Sequence, residues 1–195
     1  MIKPAYRTKR YVLHPDRGWE DVNALAEELG WPLEYSTPRN QAEGADGQMT
    51  WQSASGVSLH YTVDATFGVG YLTLAGPDED TVAPFTTQAT NALEPWKLDE
   101  LYNRFDNETD FVERGKLTIR IGLAAPQKFT EACFRRIKES LTGDDPRIQL
   151  TGVWASTSTG YQEFVHSVRQ VAETASEEWL RTRAESVLAA FSHGK

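Results

Sequence analysis

The sequence has a single cysteine, no long apolar run and a deficit of positive charge, and each shortage excludes a class of protein. Cys133 is the one cysteine among 195 residues, so the chain can form no internal disulfide and no cysteine-based zinc site. Such cysteine usage is typical of a reducing compartment, and we expect a cytoplasmic protein. No apolar run approaches the roughly 18 residues that a membrane span requires, so we expect no membrane interaction.

The charge balance bears on nucleic acids. The chain has 20 Lys and Arg against 28 Asp and Glu, a formal net charge of −8, and its isoelectric point is near 5.1. An acidic chain has no general affinity for phosphate backbones. Nucleic acid is therefore an expected partner only where positive charge is locally concentrated.

Motifs of high catalytic specificity are absent from the sequence. There is no Gly-x-Ser-x-Gly elbow, and no histidine has the i, i+4 partner of a helical metal site. Gly68-Val-Gly70 precedes a strand-like segment rather than a helix, which indicates a hairpin turn and not a phosphate loop. Cys133 lies among apolar residues, which favours a buried structural role over a nucleophilic one. We therefore predict no catalytic residue, metal ligand or cofactor.

The first part of the chain predicts a small α+β unit over residues 1–76. A short strand at 11–14 is followed by a helix at 19–29, where apolar residues recur every three or four positions before Gly30. Residues 36–48 form a loop without an apolar period. Beyond it the period is two, over 49–52, 57–63 and 69–74. The order is βαβββ, with an antiparallel sheet and one helix covering a face.

Helical periodicity dominates after the turn at residues 76–80, so we predict a second, all-helical domain over 78–195 and an α+β fold class. Asp145 before Pro146 matches an N-cap followed by proline in the first turn of a helix. The expected helices are 81–93, 97–106, 111–123, 128–141, 147–156, 162–173 and 177–191.

Two helix pairs in this domain repeat one another. Val112 aligns with Ile148 and Phe129 with Phe164, an offset of about 35 residues, and a third copy begins near Leu180. The linker at 142–148 and the turn at 159–164 carry this repetition. Over residues 78–191 the chain resembles HEAT-like repeat proteins, particularly the short repeats of phycobilin lyases. An irregular helical bundle packed on the sheet has the same periodicity and stays open as an alternative.

The resemblance implies a binding surface. In a HEAT-like solenoid the second helix of each pair lines the concave face, which here would carry a polar stripe of mixed charge. Mixed charge suits a folded protein partner, although ordinary solvated helix faces give the same pattern. We predict a non-enzymatic protein–protein interaction module, such as an adaptor, regulator or immunity-type inhibitor. The partner-binding stripe consists of Asp99, Asn103, Arg135, Lys138, His166 and Arg169.

Charge is unevenly distributed along the helical domain. Residues 94–113 contain two basic and seven acidic residues, a net charge of −5, whereas 114–138 contain seven basic and one acidic residue, a net charge of +6. The second segment is the place where nucleic acid could bind.

A second functional hypothesis is a pocket between the sheet and the helices that binds a small molecule. Trp31, Trp51 and Trp96 would form its walls, and Arg120 would contact an anion. HEAT-like proteins include bilin lyases and a class of DNA glycosylases, so the resemblance also admits an enzyme.

Overall fold

The computed structural model describes residues 5–193 and has an α+β fold, as predicted. The chain divides into two compact units, the first ending at Trp96 and the second beginning at Lys97. The extreme ends of the two predicted domains, residues 1–4 and 194–195, lie outside the described residues.

Within the described residues, the first unit is an antiparallel sheet with two helices on one face. The elements are β1 (Tyr6–Arg7), β2 (Tyr11–Val12), α1 (Trp19–Glu28), β3 (Leu33–Thr37), β4 (Gly47–Gln52), β5 (Ser58–Val63), β6 (Gly70–Gly76) and α2 (Glu79–Leu93). The sheet order is β1-β6-β5-β4-β3, and β2 also pairs with β6.

Alternation along the strands creates the core of this unit. Trp51, Leu59 and Leu74 lie opposite one another on β4, β5 and β6, and all three are fully buried. Both helices contribute apolar side chains to the same cluster, including Val22 from α1 and Val82 from α2. The indole Nε1 of Trp51 donates to Asn23 Oδ1 of α1 at 3.1 Å, which satisfies its one polar group.

The sheet has two strands that the sequence pattern did not predict, β1 and β3. Two residues are too few for β1 to show a period. All five residues of β3 are exposed or half-buried, because this strand lies at the edge of the sheet, so no alternation of apolar and polar residues marks it. The unit is therefore richer in strands than the βαβββ order expected from the sequence.

The first unit also extends past Gly76, where the sequence placed the domain boundary. Asp78 caps α2 by accepting a hydrogen bond from the amide of Thr81 at 2.8 Å. Ala89 and Leu93 of this helix are buried in the cluster formed with the sheet. The turn at 76–80 therefore connects a strand to a helix of the same core instead of separating two domains.

The opposite face of the sheet is polar and contains a partly buried histidine. His60 of β5 lies between Thr50 and Thr73 on the neighbouring strands. Its Nδ1 is 3.0 Å from Thr50 Oγ1 and its Nε2 is 2.9 Å from Ser58 Oγ. Burial, together with the charge of Arg7, lowers the pKa of His60 to about 4. The folded protein therefore keeps this imidazole neutral at pH 7.

This depressed pKa predicts a pH dependence of stability. Below the ordinary pKa of histidine, about 6.5, the unfolded chain binds a proton that the folded one excludes, so folding weakens as pH falls from about 6.5 to about 4. The ring is still partly exposed, so we expect His60 to account for about 1–2 kcal/mol of this loss. Urea unfolding at about pH 7 and about pH 4.5 measures it, with His60→Gln as the non-titrating control. An equal loss in both proteins would contradict the assignment.

The second unit is helical throughout its described part. Its elements are α3 (Leu98–Asn107), α4 (Phe111–Ala124), α5 (Glu131–Leu141), α6 (Pro146–Thr159), a 3-10 turn (Gln162–Phe164), α7 (Val165–Thr174) and α8 (Glu178–His193). The helices correspond to those predicted, with ends shifted by a few residues. Among the described residues, no helix combines the length and apolar character needed to cross a membrane.

Helices α4 and α6 form the most extensive helix contact of this unit. Gly115 near the start of α4 lies against Ile148 and Thr151 of α6, and Gly122 near its end lies against Ala155. The two helices are therefore parallel. A Cβ placed on Gly122 would be 2.7 Å from Ala155 Cα, so glycine is needed for the helices to approach this closely.

Alternate helices of this unit lie next to each other. Helix α6 contacts both α4 and α8, and helix α5 contacts both α3 and α7. Arg183 of α8 lies over the ring of Trp154 of α6, 4.7 Å from its centroid. Helices α4 and α6 each have 14 residues and begin 35 residues apart, at Phe111 and Pro146. This spacing is within one residue of the sequence offset of 36 between Val112 and Ile148.

Candidate functional site

The candidate site is the exposed side of helices α3, α5 and α7, which carry the six residues of the predicted stripe. Asp99 and Asn103 belong to α3, Arg135 and Lys138 to α5, and His166 and Arg169 to α7; all six are exposed. Contacts of α5 with both α3 and α7 put the three helices side by side in this order. The six side chains therefore lie on neighbouring helices, outside the packed interior of the unit.

Each of the three helices buries one face and exposes the other, which explains why sequence periodicity could select the exposed residues. Helix α3 buries Leu101 and Phe105, and α7 buries Val168 and Val171. Helix α3 is capped by Glu100, which accepts a hydrogen bond from the amide of Lys97 at 3.1 Å. Asp99 therefore lies in a first turn whose backbone amides favour a negative side chain.

An ion pair between a buried guanidinium and an exposed carboxylate holds α3 against α5. Arg136 of α5 donates from Nε and Nη2 to the two carboxylate oxygens of Asp106 at 3.0 and 2.5 Å. Its guanidinium lies 4.2 Å from the ring centroid of Tyr102, and its side chain is 9% exposed. Hydrogen bonding to Arg136 lowers the pKa of Asp106, with a further contribution from the charge of Arg135. This bidentate pair sets the spacing of two helices of the site.

The sequence did not indicate this role of Arg136, because it appeared only as one basic residue among seven. The signal for it is weak: Arg136 is one position from the apolar face formed by Cys133 and Ile137. Only the structure brings Asp106, 30 residues earlier, to the same place.

The basic segment 114–138 has fewer available positive charges than its sequence suggests. Arg136 is buried against Asp106. Arg114 forms a salt bridge with Glu139, and Lys116 forms another with Glu113, whose oxygen lies 2.6 Å from Nζ. These carboxylates neutralise cations that a phosphate backbone would need. The segment is therefore not a continuous basic face, and the net charge of +6 overstates its affinity for nucleic acid.

The side chains of the stripe make few contacts with the rest of the unit. Arg135 lies 3.8 Å from Asp106, a long and exposed pair, and the ammonium of Lys138 lies over the ring of Phe134, 5.6 Å from its centroid. No hydrogen bond or ion pair involves the side chains of His166 and Arg169 within the described part of the chain. Much of the charge of the stripe is therefore available to a partner.

The residues of the alternative pocket lie elsewhere. Trp31 and Trp51 are buried in the core cluster of the first unit, and Trp31 packs edge-on against Phe85 with ring centroids 4.9 Å apart. Trp96 is buried and stacks on His14 at 3.8 Å. These indoles fill the interior of the first unit. Burial lowers the pKa of Arg120, which is half-buried on α4.

Cys133 is not an activated nucleophile, and the described residues form no metal site. Burial raises the pKa of the Cys133 thiol to about 11, so the thiol is protonated at neutral pH and a poor nucleophile. Its Sγ lies 3.8 Å from the carbonyl oxygen of Ile121. Among the side chains that the structure describes, no three of His, Cys, Asp or Glu lie close enough together to hold a metal ion.

Comparison of the chain with protein-family models, curated proteins and solved structures returned no match.

Proposed function

We propose that the second unit is a HEAT-like protein-binding module, whose partner contacts the exposed side of α3, α5 and α7. The observation that carries the proposal is the exposure of all six stripe residues on three neighbouring helices. These residues combine one carboxylate, one amide, one imidazole and three basic groups. Mixed polar groups of this kind suit the complementary surface of a folded protein.

The packing of the helices supports the HEAT-like part of the proposal. Parallel α4 and α6, with the intervening α5 beside α3 and α7, are the arrangement that stacked helical hairpins produce. An irregular bundle has no reason to give α4 and α6 equal lengths and a separation of 35 residues. The close contact of Gly122 with Ala155 requires a glycine at this position, so the sequence itself favours the stacking of α4 on α6.

The other hypotheses have less support. Pairing of Arg114, Lys116 and Arg136 with carboxylates disfavours nucleic acid at residues 114–138. Burial of Trp31 and Trp51 in the core disfavours a pocket with these walls. Protein binding is therefore the function that we propose to test.

Charge reversal at the centre of the stripe tests the proposal. The full chain is used as bait in a lysate of its source organism, and the captured proteins are quantified by mass spectrometry. We expect Arg135→Glu with Lys138→Glu to reduce capture of the main partner at least tenfold, because two attractions become repulsions. Both side chains are exposed and Arg135 has only a long ion pair with Asp106, so the midpoint of thermal unfolding should fall by no more than about 5 °C.

A matched variant controls for net charge. Lys9→Glu with Lys128→Glu makes the same change in total charge at exposed residues outside the stripe, and it should retain the partner. If the stripe variant captures as much partner as the wild type, the proposed face is wrong. Loss of capture in both variants would indicate a nonspecific effect of net charge and would also count against the face.

A further inference from the structure

Strand β3 is an open edge of the sheet in the first unit. It pairs with β4 on one side, and within residues 5–193 no strand pairs with its other side. The amide and carbonyl groups along that side can therefore bond to another extended chain. Nothing in the described part of the chain covers this edge with a further strand.

The side chains of β3 make this edge accessible. Leu33 is 50% exposed and Tyr35 is 51% exposed, although both are large and apolar in part. The strand has no lysine, and its two neighbouring prolines, Pro32 and Pro38, lie just outside it. Its pairing with β4 shifts register between Leu33 and Tyr35 and is regular over residues 35–37. The opposite edge of the sheet, β1, has only two residues. An added strand would therefore find its regular partner at residues 35–37.

Negative charge flanks β3 at both ends. Glu27 and Glu28 are exposed at the end of α1, and the chain then turns tightly into β3, as the hydrogen bond from the Trp31 amide to the Ala26 carbonyl shows. Glu43 and Asp46 are exposed in the hairpin loop that follows β3. Residues 18–47 contain seven acidic residues and one basic residue, Arg39.

We propose that β3 binds an extended, basic segment of another protein by antiparallel strand addition. Backbone hydrogen bonds supply the affinity, and lysine or arginine side chains near both ends of the added segment meet the flanking carboxylates. A second copy of this chain fits less well. Antiparallel pairing of β3 with itself would bring the Glu27 end of one strand to the Asp46 end of the other, so acidic groups would meet acidic groups.

This edge lies in the first unit, and the inference does not depend on the proposed function of the second. Its test therefore includes the Arg135→Glu with Lys138→Glu variant. We expect that variant to bind at β3 as the wild type does, even where it has lost its partner at the helical face.

The test uses the full chain labelled with ¹⁵N and two synthetic probes, Lys-Val-Thr-Val-Thr-Val-Lys and its counterpart with glutamate at both ends. In titrations followed by NMR, we expect amide shifts from the basic peptide to concentrate on residues 33–37. The two probes carry opposite charges at both ends, and each end would lie near two of the flanking carboxylates. The basic peptide should therefore bind at least fivefold more tightly than the acidic one. Glu28→Lys with Glu43→Lys removes one carboxylate from each end and should reduce or reverse this preference, since both residues are exposed.

Two controls separate strand addition from nonspecific attraction. The basic peptide methylated on alternate backbone nitrogens keeps its charge but loses donors, and it should bind at least tenfold more weakly. Glu185→Lys, an exposed change on α8, should alter nothing at β3. Equal binding of the methylated peptide, or shifts spread away from β3, would overturn the proposal. So would a concentration-dependent dimer in sedimentation that protects the β3 amides, because it would assign the edge to a second copy.

Discussion

We expect Gly122→Val to destabilise the second unit by about 3–4 kcal/mol, because the close contact of α4 and α6 has no room for a side chain. A Cβ at this position would lie 2.7 Å from Ala155 Cα and 2.8 Å from its Cβ and carbonyl oxygen. Two of these three atoms belong to the backbone of α6, so the helices must move apart. Gly122→Ala should also destabilise, although alanine has a helix propensity about 1 kcal/mol better than that of glycine.

Chemical denaturation followed by helical circular dichroism measures this effect, and a second glycine provides the control. In Gly143→Ala the new Cβ would meet no atom closer than 3.5 Å, so we expect stability within about 0.5 kcal/mol of the wild type. If Gly122→Ala were as stable as Gly143→Ala, α4 and α6 would not pack as closely as described, and the stacking that supports a HEAT-like unit would be lost with them.

The second large effect concerns the ion pair between α3 and α5. We expect Asp106→Ala to cost about 2–3 kcal/mol, because it leaves the buried guanidinium of Arg136 without its carboxylate partner. The value is below that of a fully buried pair, since Asp106 itself remains partly exposed. Asn103→Ala, at an exposed position of the same helix, should change stability by less than about 0.5 kcal/mol.

A double variant distinguishes a lost ion pair from general damage to α3. Asp106→Ala with Arg136→Met removes the unpaired charge while keeping an apolar side chain of similar length, so it should recover most of the stability lost in Asp106→Ala. Losses that simply add in the double variant would show that the two side chains do not interact. Urea unfolding of the wild type, Asp106→Ala, Arg136→Met and the double variant measures the coupling directly.

The exposure of the stripe residues was predictable because helical periodicity separates a buried face from a solvated one. Asn103 lies two positions from both Leu101 and Phe105, the residues that α3 buries, so it faces away from them and is exposed. Arg169 of α7 is exposed as well. Charge was less predictable. Arg136 and Lys138 look alike in the sequence, yet the first is buried against Asp106 and the second is exposed.

The sheet shows the same division. Strands β4, β5 and β6 were predictable, because each has one buried and one polar face and therefore an apolar period of two. Strand β3 was not, because an edge strand with exposed side chains has no need of that period. The packing of α2 on the sheet of the first unit was also not predictable from the sequence, since the turn before a helix does not show which elements that helix packs against.

The α+β class, the approximate position of each described helix and the 35-residue spacing of α4 and α6 follow from local periods, caps and turns, so the amino-acid order is enough to predict them. The three-dimensional packing sets which charges are neutralised, which glycine permits close packing and which strand edge stays open. Each of these depends on residues far apart in the chain, and local periodicity contains no information about which distant partner a side chain will meet.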